Sequence, residues 1–147
     1  MSYPILLVLH LLAAIAFVGT VFFEVLILER VRRHVPADAL RAVERALGQR
    51  LRRVMPWVIL TLFGSGLGML KLRYLPLLSH PLDSPFATLL SLKLLLAASV
   101  LCHFFCAMYL MHSGGMTGRR SRIIHYSVFA HVLGIVLLAK GMFYLSW

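Results

Sequence analysis

Four long apolar runs constrain this chain more than any other feature. They lie at about Tyr3–Leu28, Val54–Pro76, Phe86–His112 and Ile123–Ser146. Each supplies the roughly 20 helical residues needed to cross a hydrocarbon core of about 30 Å. Within lipid a backbone must satisfy its own polar groups, so spans are helices or closed barrels. Continuous apolar runs of this length, without two-residue alternation, predict helices. Hydrophobic residues make up 61% of the chain and charged ones 14%, too little polar material to cover a soluble domain. The expected fold class is therefore all-α, an integral membrane four-helix bundle, with residues 1–147 forming one transmembrane domain. The first run does not read as a cleavable signal peptide. It lacks a basic leader, is too long, and its positive charge follows it.

The charges orient the spans. Arg30, Arg32, Arg33, Arg41, Arg45, Arg50, Arg52 and Arg53 fall between runs one and two, and Arg119, Arg120 and Arg122 between runs three and four. By the positive-inside rule both segments face the cytoplasm. Both termini and the loop at Ser79–Pro85 then lie outside, as expected of a multi-pass protein of a bacterial inner membrane. The arginine blocks suit anionic inner-leaflet headgroups rather than nucleic acid, which would need a water-soluble basic face. Residues 36–53 carry Leu40, Val43, Leu47 and Leu51 at helical spacing, with Arg41, Arg45 and Arg52 off that stripe. This predicts a basic amphipathic helix on the headgroups, or an inward extension of span two, with Asp38 as its N-cap. No internal repeat and no low-complexity tract stands out.

A helix rises about 1.5 Å per residue, so orientation converts sequence position into depth. His10 and Lys93 fall in the outer third of spans one and three. His103 and His131 fall at matched depth on spans three and four, slightly inside the midplane. Lys140, Lys71 and Arg73 are expected to snorkel to the outer headgroups. His112 and His125 sit near the inner edge, and His34 and His80 are in loops. Glu24, near the inner interface, is expected to turn toward the bundle or pair with Arg30. The intramembrane set is then His10, Lys93, His103 and His131, and ionisable groups inside a membrane mark functional sites unless they only bond a neighbouring helix.

Two imidazoles from different helices at one depth suit a haem iron. Gly64, Gly66 and Gly68 in LTLFGSGLGML leave room, Gly64 and Gly68 forming a small-residue face, and Phe63, Phe104, Phe105 and Phe129 could wall a macrocycle. No CxxCH is present, so the expected cofactor is noncovalent haem b, in one or two copies. His103 and His131 are the expected axial pair. His10 and Lys93 form an outer site that could ligate a second haem or anchor a porphyrin propionate or a quinone. The competing cofactor is copper, held by Cys102, His103 and Cys106. Cys102 and Cys106, one turn apart, are not expected to form a disulfide. Nucleophilic hydrolysis has no residue set to carry it.

The order of these segments resembles the HemJ-type protoporphyrinogen oxidases and the related CopD-like membrane proteins. The resemblance rests on His10 in LHLLAAIAFVG, on RVMPWVILTLFGSGLGML, and on Lys93 and His103 in LKLLLAASVLCH. It implies four spans, haem b, and oxidation of protoporphyrinogen IX with electrons passed to the respiratory chain. By the same resemblance His10 and Lys93 match the polar haem or substrate site. TVFFEVLILER and YSVFAHVLGIV depart from the HemJ pattern, and His131 looks more CopD-like. The expected function is that of a membrane haem b redox protein. A CopD-like copper-binding or copper-uptake protein and a structural or assembly subunit of a larger complex are the alternatives. Homo-oligomerisation stays open.

Overall fold

The structure, a computed structural model, describes residues 2–145. Helix α1 (Ser2–Phe22) runs on through a π-helical segment, Phe23–Leu28, and a last turn, Glu29–Val31. Helix α2 (Ala37–Met69) continues through a π-helical segment, Leu70–Tyr74, and a 3₁₀ turn, Leu75–Ser79. Helices α3 (Pro85–His112) and α4 (Gly118–Tyr144) complete the chain. No strand occurs among the described residues. All four helical runs are long and apolar enough to cross a membrane, which is compatible with a multi-pass membrane protein. Ser146, the expected end of the fourth span, lies outside the described residues.

Large apolar side chains stay uncovered, among them Ile15 at 68% exposure, Trp57 at 71% and Leu137 at 72%. A water-soluble chain would aggregate through such a surface, whereas lipid solvates it. Between helices in lipid there is no hydrophobic drive, so small residues, close packing and polar links must hold them together.

The chain divides at Leu75/Pro76 into two compact units, each an antiparallel helical hairpin. In the first, Tyr3 meets Tyr74, Leu6 meets Gly68, His10 meets Gly66, and Arg32 meets Glu44. Arg32 fastens the end of the hairpin remote from Tyr3. Its Nε donates to Glu44 and its Nη1 to Glu29, each at 2.7 Å. The basic segment 36–53 is continuous with α2. Asp38 is not its N-cap. The helix begins at Ala37 behind Pro36, which has no side-chain cap, and Asp38 sits in the first turn. The carboxylate still complements the positive end of the helix from there.

In the second hairpin both helix starts are capped by hydroxyls. Ser84 Oγ accepts from the Ala87 N–H at 3.2 Å with Pro85 at the first helical position, and Thr117 Oγ1 accepts from the Arg120 N–H at 3.3 Å. The tight turn between α3 and α4 needs a left-handed residue, supplied by Gly114 at φ +73°. Beyond it the Met116 N–H closes back on the Leu110 carbonyl at 3.0 Å. Fourth-span helix therefore starts five residues before the apolar run does, because Thr117 rather than hydrophobicity sets the boundary.

Candidate functional site

The polar residues inside the spans organise into a separate arrangement in each hairpin. In the first, the apolar α1 puts His10 against α2. His10 Nδ1 lies 2.9 Å from the Leu62 carbonyl oxygen and 3.4 Å from Ser65 Oγ. A carbonyl can only accept, so Nδ1 carries the proton. Ser65, 5% exposed, turns its hydroxyl to the Thr61 and Leu62 carbonyls. The seat depends on glycine. A Cβ at Gly66 would stand 3.1 Å from His10 Cε1 and 3.2 Å from Nδ1. Gly68 takes Leu6 in the same way, at 3.0 Å, while Gly64 has open space around it. The helix-facing glycines are thus Gly66 and Gly68, not the expected Gly64 and Gly68.

In the second hairpin the structure brings together His103 and His131, as their matched depth leads one to expect. Their ring centroids are 5.2 Å apart with the planes inclined at 56°. The surroundings were not legible beforehand. His103 Nδ1–H donates to its own helix at Ser99 C=O (2.7 Å), and its Nε2 accepts from Ser127 Oγ of α4 (2.9 Å). His131 does the mirror image, donating to Ser127 C=O (2.8 Å) and accepting from Ser99 Oγ (3.0 Å). Two Ser-Val-x-x-His segments, SVLCH at 99–103 and SVFAH at 127–131, are related by the local two-fold of the antiparallel helices. Val100 and Val128 at the matching second positions are both buried. This five-residue repeat is the signal that sequence reasoning passed over, and Ser99 and Ser127 are the histidine partners it missed.

An axial haem pair needs two Nε2 atoms facing each other with a macrocycle between them. Here each Nε2 is turned to a serine of the opposite helix. The two helices also touch around the pair, since a Cβ on Gly134 of α4 would meet Leu96 Cδ1 of α3 at 3.0 Å. As packed, His103 and His131 do not fit a porphyrin between them, because the gap is closed by hydrogen bonds.

Lys93, in α3, is half-buried and lies on the helical side of Leu89 and Val100, which are covered. It belongs to the second hairpin and His10 to the first. The copper set does not assemble. Cys102 and Cys106 are both exposed, and both nitrogens of His103 are engaged, Nδ1 by Ser99 C=O of its own helix and Nε2 by Ser127 of α4. Successive residues on a helix differ by about 100°, which separates Cys102 from His103. Among the described residues no group of three or more His, Cys, Asp or Glu could hold a metal ion. Of the aromatic walls, Phe105 is 61% exposed and packs edge-on to Phe104 at 5.8 Å between centroids. Lys140 is exposed, in keeping with a snorkelling role. Arg73 lies over the rings of Tyr3 and Tyr74, 5.5 and 5.9 Å from their centroids. No protein-family model, no curated protein and no solved structure matches this chain.

Proposed function

We propose that the protein is a multi-pass membrane redox protein that holds haem b through His10, with both cytoplasmic loops basic and both termini outside. The observation that carries this reading is the tautomer of His10. A metal-ligating imidazole commonly fixes one ring N–H on a backbone carbonyl, which orients the ring. Leu62 C=O provides that hold at 2.9 Å, and Gly66 lets the ring approach α2 closely. Haem b, when bound, supplies one-electron chemistry. The residues of the first hairpin orient the ligand. Oxidation of protoporphyrinogen, with electrons passed to the respiratory chain, is the activity that this resemblance favours.

A reduced-minus-oxidised visible spectrum of the protein purified from haem-replete membranes tests the proposal. Sharp haem b bands are expected. Their absence from fully folded protein would end the reading and leave an assembly role.

A further inference from the structure

We infer that the tip of the first hairpin, the end that carries Arg30, Arg33, Arg41 and Arg45, is a docking surface for an acidic amphipathic segment of a soluble partner protein. His10 packs on Gly66, about 30 Å along α2 from Arg45. The surface therefore stands independently of haem at His10.

Helix α2 is continuous from Ala37 to Met69, through Pro56. Its basic start is thus an extension of the span, not a separate helix laid flat at its foot. Charge ends the apolar stretch of this hairpin at Arg53 on α2 and at Glu24 on α1. At about 1.5 Å per residue, Arg45 stands about 14 Å and Arg41 about 20 Å beyond Val54. Headgroups occupy only roughly 5–8 Å on each side of the hydrocarbon. A span tilted by about 40°, the upper end of the usual range, still leaves Arg41 about 15 Å out. Arg32, bonded to Glu44 at 2.7 Å, holds the end of α1 at the same height, so Arg30 and Arg33 share it. These four arginines clear the headgroup layer on which the sequence pattern alone would lay them.

Their charge is not spent within the hairpin. Arg32 takes up both Glu29 and Glu44, at 2.7 Å each. Among the described residues Arg30, Arg33, Arg41 and Arg45 are exposed and in no ion pair, and the remaining acid at this end is Asp38. Arg41 and Arg45 are four residues apart, which puts them within about 40° on one face and about 6 Å apart along the axis. Arg52 continues the same stripe. Carboxylates one turn apart on a partner helix match this spacing, and a guanidinium holds a carboxylate through two parallel hydrogen bonds.

The same end also offers apolar surface that lipid does not cover at this height. Val31 is 41% exposed and Val43 52%. An amphipathic segment buries such groups while its acids meet the arginines. A nucleic acid fits less well. Valines offer phosphates nothing, and no Phe, Tyr or Trp occurs between Phe23 and Trp57 to stack on a base.

The test uses the full chain in phosphatidylcholine nanodiscs and a fluorescein-labelled four-turn peptide, with glutamate at every fourth position and leucines on the opposite face. Binding, read by anisotropy, should weaken about tenfold in Arg41→Gln/Arg45→Gln. It should weaken several-fold in Val43→Ser and stay unchanged in Lys71→Gln/Arg73→Gln, at the other end of the hairpin. A peptide of the same composition with its glutamates scrambled should bind about tenfold more weakly than the patterned one. A spin label at Ala42→Cys, in a Cys102→Ser/Cys106→Ser background, should stay open to a water-soluble relaxation agent in nanodiscs containing phosphatidylglycerol. No binding, equal binding of the scrambled peptide, or binding indifferent to Arg41 and Arg45 would each overturn the proposal. So would displacement of the peptide by single-stranded DNA of equal charge, which would give the surface to nucleic acid. A label sunk among the headgroups would overturn it in favour of lipid.

Discussion

His10 shows how one residue's chemistry is set by its neighbours. Position and charge bias lead one to expect an imidazole in the outer third of the first span. What the sequence does not reveal is the partner. The Leu62 carbonyl is invisible to any pattern of side chains, and choosing among Gly64, Gly66 and Gly68 requires the rotation of α2 against α1. Gly66 is therefore the sharpest residue-level test. In Gly66→Ala the methyl would lie 3.1 Å from the ring. The imidazole must shift and its bond to Leu62 lengthen. The expected outcome is a haem spectrum of reduced intensity or shifted midpoint potential, read by redox titration, with helicity retained. Gly64→Ala, which meets nothing within 4 Å, should leave both unchanged.

Each hairpin has its own fastening. In the second, two serine–histidine links cross between α3 and α4 while the Nδ1 bonds stay within each helix. Side-chain hydrogen bonds between membrane helices contribute about 0.6 kcal/mol on average and up to about 1.7. A double-mutant cycle on Ser127 and His103 should give a coupling of that size in a steric-trapping or denaturant assay. The cycle on Ser99 and His103 should give little, because that contact runs through the Ser99 backbone carbonyl and survives Ser99→Ala. Equal couplings in the two cycles would mean that the cross-helix bonds do not form as described. At this scale the four helices were legible from length and hydropathy, and so was the matched depth of the two histidines. Their boundaries were less so. Ser84, Thr117 and Gly114 set the ends of α3 and α4 through caps and a left-handed turn, not through hydrophobicity. SVLCH and SVFAH become a repeat only when antiparallel pairing brings them face to face, since five shared positions with two identities changed are too short to stand out along a chain. Nor does depth say whether facing rings leave a gap, so the hydrogen bonds that close the space between His103 and His131 were not legible either.

For the whole molecule, the arginine distribution predicts which side each turn faces. With a membrane-impermeant thiol reagent, a cysteine introduced at His34 or Ser113 in a Cys102→Ser/Cys106→Ser background should react only after the membrane is opened. One at Leu82 should react in intact cells. The reverse pattern would invert the topology and move His10 to the inner side. The account as a whole rests on a division of labour in which His10 serves haem and the His103–His131 pair does not. The most direct measurement compares the reduced-minus-oxidised spectra of His10→Ala and His103→Ala, each expressed and folded to the wild-type level. The account predicts that the haem b bands vanish in His10→Ala and persist in His103→Ala. Bands retained in His10→Ala but lost in His103→Ala would contradict it.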